Sequence, residues 1–173
     1  KTCLFLADTT VNVDPSAEEL VEIAYLSAKT AQRFNMVPNI AMLSFSNFGS
    51  APYPQSNKVR AAVEMMKQKY PEFTVDGEMQ VDAAVVQEEI NEYFPFSDLK
   101  GKANVLIFPN LDAGNIAYKL LWRIGGAEVI GPIIMGLSKP VHVLQKGAEI
   151  EHIVDMAAIA VVEANEKEVA GNQ

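Results

Sequence analysis

Short apolar runs alternate along this chain with segments whose apolar residues recur at helical spacing. Continuous apolar runs lie at 3–7, 40–45 and 104–108. After the first run, Ser16 and Glu19 match a capping box, the pattern that begins many helices. Parallel strands covered on both faces have continuous apolar sequences of this kind, because neither side meets water. The pattern therefore predicts an α/β fold with a mainly parallel sheet.

The remaining elements continue the alternation. We predict a short strand near 73–76 and further strands at 133–137 and 141–144. A first helix is predicted to open at 14–16 and to continue through Arg33, and further helices are predicted over 58–70, 81–93, 113–124 and 150–164. Gly125 and Gly126 follow one of these helices and favour a left-handed C-cap. The segment 165–173 is predicted to be a flexible tail. Because the chain opens on Lys1 and enters an apolar run almost at once, we expect it to be a fragment of a longer protein.

Composition and charge narrow the functional class. The 173 residues are 49% apolar and carry a net charge of −8, with no basic run. Non-specific binding to nucleic acid requires a positive surface, so that class is not expected. No apolar run is long enough to cross a membrane, and no membrane partner is expected. Cys3 is the only cysteine, which excludes internal disulfides and favours the cytoplasm.

The first candidate site is a segment rich in Ser and Gly, residues 44–51, which we call the serine loop. It follows the strand predicted at 40–45, and ligands of open α/β sheets bind at the carboxyl ends of strands. Its small residues would let backbone N–H groups approach an anion. The predicted ligand-binding residues are Ser44, Ser46, Gly49 and Ser50. The alternative is a polar loop with turn chemistry and no ligand.

The second candidate site lies on the helix predicted at 113–124. Asn115, Lys119 and Arg123 are spaced four residues apart, so their side chains share one helical face and could reach the same ligand. The alternative is a capped helix with solvated cations.

Other polar residues give no recognisable motif. His142 and His152 have no neighbouring Cys or clustered carboxylates, so no metal site is predicted. The carboxylates around Gly77 lack the spacing of a calcium loop.

Four long segments resemble the phosphate acetyl/butyryl transferase family. They are VDGEMQVDAAV (75–85), KGKANVLIFPNLDAGNIAYKLL (100–121), GGAEVIGPIIMGLSKPVHVLQKG (125–147) and IVDMAAIAVVEA (153–164). The resemblance implies a three-layer α/β/α fold of the isocitrate/isopropylmalate dehydrogenase type, with a cleft between two domains. Residues 1–164 resemble the later half of that unit, and family members typically form dimers.

The family's catalytic pattern is altered in this chain. Active transferases carry a D-L-S-R-G segment, which aligns with residues 143–147. The resemblance places Gln145 at the serine position and Lys146 at the arginine position, and His152 at an acidic position expected to act as a base. Lysine does not replace the bidentate geometry of arginine on a phosphoryl group. The resemblance therefore implies that none of these catalytic positions is intact.

Two segments, SNFGS (46–50) and KPVHVLQKG (139–147), are similar to the transferase-like domain of bacterial hybrid malic enzymes. That resemblance implies a regulatory domain that binds acetyl-CoA, or a related CoA ester, and forms a homo-oligomer. Oxidative decarboxylation of malate, with NADP and Mg²⁺ or Mn²⁺, would belong to an upstream malic enzyme domain; no cofactor is expected in this one. Arg123 matches a cleft arginine of the transferases, and Lys146 would add positive charge. The alternatives are an active phosphate acetyltransferase and a purely structural dimerisation domain.

Overall fold

The computed structural model describes residues 3–99, 101–144 and 147–171, with the side chains of the last helix described as far as Asn165. The chain divides into two compact units, residues 1–119 and residues 120–173.

The first unit contains a four-stranded parallel sheet. Its strands, numbered along the chain, are β1 (Phe5–Ala7), β2 (Asn39–Leu43), β3 (Thr74–Met79) and β4 (Val105–Ile107). Their order across the sheet is β1-β4-β2-β3. The last strand in the sequence, β4, therefore lies between the first two, β1 and β2. Val105 is the register partner of both Phe5 and Ile40. The parallel sheet predicted from the continuous apolar runs is confirmed.

Six helices accompany the strands in the part of the chain that the structure describes. They are α1 (Ala17–Arg33), α2 (Pro54–Lys69), α3 (Val81–Val85), α4 (Gln87–Tyr93), α5 (Leu111–Arg123) and α6 (Ile150–Gly171). At the start of α1 the predicted capping box is present: Glu19 N–H donates to Ser16 Oγ at 3.2 Å, and Ser16 N–H donates to Glu19 Oε2 at 2.7 Å. These bonds satisfy donors that have no partner within the helix.

Helices cover both faces of the sheet in the first unit. One apolar cluster contains Ala41 and Leu106 together with residues of α3, α4 and α5. Neighbouring strand residues point to opposite faces, so Ile40 and Met42 face the other side, where α1 and α2 pack against each other and against the strands. This is the expected three-layer α/β/α arrangement.

Two predicted helices differ in detail. The helix expected at 58–70 begins earlier, at Pro54, because proline is well tolerated in the first turn of a helix. The helix expected at 81–93 is two helices, since Val86 has an extended backbone with φ −103° and ψ 108°.

The strands predicted at 133–137 and 141–144 are wrong: no strand is present among the described residues of the second unit. Proline has no N–H to donate to a strand ladder, and it occurs at positions 132 and 140. Gly131 and Gly136 also have positive φ, 138° and 83°. The apolar run therefore lacks the regular backbone that strand pairing requires.

The helix predicted at 150–164 is confirmed and continues to Gly171, through most of the segment expected to be a flexible tail. Flexibility of that segment stays a prediction. Among the described residues, no helix is long and apolar enough to span a membrane.

Candidate functional site

The loops after β1, β2 and β4 lie at the carboxyl edge of the sheet in the first unit. From the adjacent strands β2 and β4, the chain continues to helices on opposite faces, α2 on one and α5 on the other. This change of face between neighbouring strands leaves a crevice at the strand ends, where α/β proteins commonly bind ligands.

The serine loop after β2 is organised around one buried carboxylate, that of Glu78. Its Oε1 accepts hydrogen bonds from Ser46 Oγ at 2.8 Å and from Gly49 N–H at 2.8 Å. Arg60, on α2, donates to both carboxylate oxygens, at 3.0 Å from Nε and 3.1 Å from Nη2. Phe48 N–H donates to the backbone oxygen of Glu78 at 2.8 Å. The side chain of Glu78 is fully buried, so these donors replace its water.

Burial raises the pKa of Glu78, but Arg60, Gly49 N–H and Ser46 together outweigh that effect and hold it below its usual range. The same contact raises the pKa of Arg60 through hydrogen bonding and charge attraction. Glu78 is therefore an anion in the folded protein at neutral pH.

This arrangement corrects the expected backbone cradle. The N–H groups of residues 44 and 46–51 all donate within the protein, to Met79, Ser44, Ser50, Glu78, Asn47 and Ser46. One of them, Gly49 N–H, donates to the carboxylate of the protein's own Glu78. Ser46 is buried, Ser44 and Gly49 are half-buried, and Ser50 is exposed. Ligand binding by these four residues stays a prediction.

Asp8 organises the loop after β1 in a similar way. Its carboxylate accepts N–H bonds from Thr10 at 2.7 Å, Val11 at 3.0 Å and Asn12 at 2.8 Å. Burial raises the pKa of Asp8, but these hydrogen bonds outweigh it and lower the pKa overall. The side-chain amide of Asn115 donates to Thr9 O at 3.0 Å, and ligand binding by Asn115 stays a prediction.

Two further residues connect the elements at this edge. A Cβ at Gly114 would lie 2.1 Å from Asp8 O, so only glycine permits this approach of α5 to the β1 loop. Lys58, on α2, donates to Asp14 Oδ1 at 2.7 Å and to Pro109 O at 3.1 Å. Sequence reasoning missed Asp8, Lys58 and Glu78; the available signal for Glu78 was a carboxylate inside a strand whose Val75 and Met79 are buried.

The other predicted site residues are distributed along the chain. Lys119, in the first unit, is exposed. Arg123, in the second unit, is also exposed, and its guanidinium carbon lies 3.6 Å from the centroid of the Trp122 ring. Gln145 and Lys146 lie outside the described residues.

Both histidines contact the backbone of the segment 131–134. His152 Nε2 lies 2.9 Å from Gly131 O. His142 Nδ1 accepts from Ile134 N–H at 3.3 Å, and its Nε2 lies 3.2 Å from Glu163 Oε2. Within the described ranges, no group of three or more His, Cys, Asp and Glu side chains could hold a metal ion.

The parallel sheet, the helices on both faces and the polar loops at the strand ends are those of a three-layer α/β/α domain. The sequence pattern of the phosphate acetyl/butaryl transferase family matches residues 1–161, and the chain belongs to that family. A crystal structure of a phosphotransacetylase from Streptococcus pyogenes superposes with a TM-score of 0.88 at 46% identity, covering 92% of this chain and 49% of that one.

The curated relatives include both a malic enzyme and a phosphate acetyltransferase. An NADP-dependent malic enzyme from Escherichia coli (strain K12) is 49% identical over 162 residues, which cover 92% of this chain and 21% of that protein. A phosphate acetyltransferase from Bacillus subtilis (strain 168) is 46% identical over 158 residues, which cover 91% of this chain and 49% of that protein. The chain thus spans about a fifth of the malic enzyme and about half of the transferase.

Proposed function

We propose that this chain is the transferase-like domain of an NADP-dependent malic enzyme, in which it binds acetyl-CoA and regulates the oxidative decarboxylation of malate. The proposal rests on His152, because the resemblance places this residue where active transferases have an acidic base. Its ring contacts the backbone of Gly131, a contact that suits a structural residue. Malate chemistry, with NADP and Mg²⁺ or Mn²⁺, would take place in a separate domain in the cytoplasm.

Binding of the effector would use the polar carboxyl edge of the sheet and the exposed cations. Acetyl-CoA carries several negative charges, and Lys119 and Arg123 are exposed donors on one helix. Lys146 is the third predicted cation. Inhibition follows if acetyl-CoA binds unequally to two conformations of the assembled enzyme.

The test uses the full-length protein. Acetyl-CoA should inhibit malate turnover, and Arg123→Ala should weaken that inhibition about tenfold, the scale of one lost charge-assisted hydrogen bond. Turnover without effector should be unchanged. Lys139→Ala is a matched control, because this exposed cation was not predicted to bind ligand. Wild-type enzyme that is indifferent to acetyl-CoA would refute the regulatory function, whereas inhibition that persists in Arg123→Ala would refute the site.

An active phosphate acetyltransferase is the second candidate, favoured by the 46% identity to the Bacillus subtilis enzyme. Acetyl phosphate and CoA supplied to the full-length protein distinguish the two. Formation of acetyl-CoA at about one turnover per second or faster, an ordinary enzyme rate, would favour the transferase. The altered residues Gln145, Lys146 and His152 lead us to expect far slower turnover.

Assembly as a dimer or larger homo-oligomer is part of the proposal. Exposed apolar side chains recur along α6 at Ile150, Ile153, Val154, Val161 and Val162. Surfaces of this kind are usually covered in an oligomer or by another domain. Light scattering of the full-length protein should show at least a dimer, and a monomer at micromolar concentration would contradict this.

A further inference from the structure

We propose that Arg60 and Glu78 are positioning residues that set the conformation of the serine loop, and through it the affinity of the domain for acetyl-CoA. The inference rests on the proposed function and adds Glu78, which contacts the loop, and Arg60, which contacts Glu78. Neither needs to contact the ligand.

Glu78 is the point at which three parts of the first unit meet. It extends from β3, it accepts hydrogen bonds from Ser46 and Gly49 of the serine loop, and it pairs with Arg60 of α2. The arginine fork engages both carboxylate oxygens, which fixes the carboxylate plane as well as its position. The orientation of that plane then determines where Ser46 Oγ and Gly49 N–H find their acceptor.

Among the described residues, four other hydrogen bonds anchor the loop to β3 and to Gln80, which follows that strand; one of them runs from Gln80 Nε2 to Phe45 O at 2.7 Å. Phe48 N–H bonds to Glu78 O, Ser44 N–H bonds to Met79 O, and the Asn47 side chain accepts from Gln80 N–H at 2.7 Å. Inside the loop, Ser46 Oγ also accepts from Ala51 N–H at 3.0 Å. A carboxylate that turned away from Arg60 would therefore break its hydrogen bonds to Ser46 and Gly49. The bond from Ala51 N–H to Ser46 Oγ, at the end of the loop that leads to α2, would lose its support. Groups held in this way lose less freedom when a ligand binds, which increases affinity.

A second ion pair in the same unit provides an internal comparison. Lys67 lies two helical turns after Arg60 on α2, and its Nζ contacts Asp76 Oδ1 at 3.0 Å. Asp76 precedes Glu78 by two residues on β3 and is also buried. Both pairs join α2 to β3. The other partners of Asp76 are Ser97 Oγ at 2.7 Å and Asp98 N–H at 2.8 Å, which belong to a different loop.

The experiment compares these two pairs in the full-length protein. Arg60→Met and Glu78→Gln should each weaken acetyl-CoA binding at least about tenfold in calorimetric titrations, on the scale of a lost charge-assisted contact. Lys67→Met removes an ion pair between α2 and β3, together with the contact of Lys67 Nζ to Asp98 Oδ2 at 2.8 Å, and should change the dissociation constant less than about twofold. Arg60→Lys keeps the charge without the fork and should give an intermediate affinity.

Amide hydrogen exchange gives a readout that does not depend on the ligand. Arg60→Met should accelerate exchange at Phe48 and Gly49 while leaving Asp98 unchanged. Lys67→Met should accelerate exchange at Asp98 while leaving Phe48 and Gly49 unchanged. A residue that only stabilised the fold would accelerate both loops alike. Should Arg60→Met fail to fold, Glu78→Gln and Arg60→Lys carry the same comparison.

The outcomes separate the inference from the proposed function. Wild-type protein that does not bind acetyl-CoA refutes the function, and the exchange rates still decide whether the pair positions the loop. Wild-type protein that binds acetyl-CoA, together with Arg60→Met and Glu78→Gln variants of unchanged affinity, refutes the inference. Equal losses of affinity in Lys67→Met and Arg60→Met would also refute it.

Discussion

The two units of this chain differ in how many of their apolar side chains are buried. Among the described residues, every buried apolar side chain except Met156 lies in the first unit, residues 1–119. The second unit, residues 120–173, exposes Ile124 by 80%, Ile150 by 79% and Val154 by 60%. Burial of apolar surface is the main driving force of folding. The first unit buries its apolar side chains internally, whereas we expect a partner surface to cover those that the second unit exposes.

This difference is the one expected between a hydrophobic core, in the first unit, and a surface that a partner covers, in the second. The first unit encloses a sheet between two helical layers and satisfies its buried carboxylates internally. In the second unit, the buried polar pair of His142 and Glu163 is accompanied by one buried apolar side chain. We therefore expect mutations in the first unit to act on stability and mutations of the exposed α6 residues to act on association.

Truncation in the core of the first unit should have the largest effect. Leu20, on the buried face of α1, is 1% exposed, and Leu20→Ala removes packed methyl groups and leaves a cavity. We expect a loss of about 2–5 kcal/mol in the free energy of unfolding. Urea unfolding followed by circular dichroism measures it, and a loss below about 1 kcal/mol would show that this core is loosely packed.

A methyl group at Gly114 should be the next most costly change. Its Cβ would lie 2.1 Å from Asp8 O, a backbone atom that cannot move alone. We expect Gly114→Ala to cost about 3 kcal/mol, at the upper end for overpacking.

Gly126→Ala is the counterpart in the second unit. Its φ is 68° and its Cβ would meet nothing within 4 Å, so only the backbone penalty of about 1 kcal/mol is expected. Equal losses in the two variants would contradict the difference in packing.

Acidification should produce a smaller effect that can be assigned to Glu78. Its pKa is lowered by folding, so its stabilising contribution is complete above the unfolded pKa of about 4.3 and is lost as the pH falls through the folded pKa. We expect stability to decline as the pH falls below about 5, less steeply in Glu78→Gln. Asp8 has the same direction of shift, so part of the decline should remain. Identical slopes in both proteins would rule out a paired Glu78.

The smallest effect on folding is expected on the outer surface of α6. Val161 is 59% exposed, so Val161→Ser in the isolated chain should change the free energy of unfolding by less than about 0.5 kcal/mol. In the full-length protein the same change should weaken association. A large loss of stability in the isolated chain would show that α6 has a covered face there.

The sequence predicted the first unit well because its signals are local. The capping box of α1 and the apolar runs of β1, β2 and β4 each report on a few neighbouring residues, and all four elements were confirmed. The run from Ile133 to Leu144 gave a similar apolar signal without forming strands. Its glycines and prolines disrupt the backbone, and apolar character there reflects a surface instead of a sheet.

The candidate site was predicted less completely than the fold. The serine loop was identified from its composition, but the residue that organises it lies 32 positions further along. Glu78 was considered only as a possible calcium ligand, because a sequence does not reveal which loop meets which strand. Asn115 was placed on the correct helix, yet its amide serves the backbone of Thr9.

The position of β4 in the sheet has a consequence for synthesis of the chain. β1 and β2 are not neighbours, and both pair with a strand that follows β1 by about a hundred residues. At about 5–20 residues per second, a ribosome completes β4 several seconds after β1. During that interval, the edges of β1 and β2 that β4 will join remain without their final partner, and such edges can pair with other nascent chains. Slower translation between residues 44 and 105 should therefore increase aggregation of this domain and its demand for chaperones.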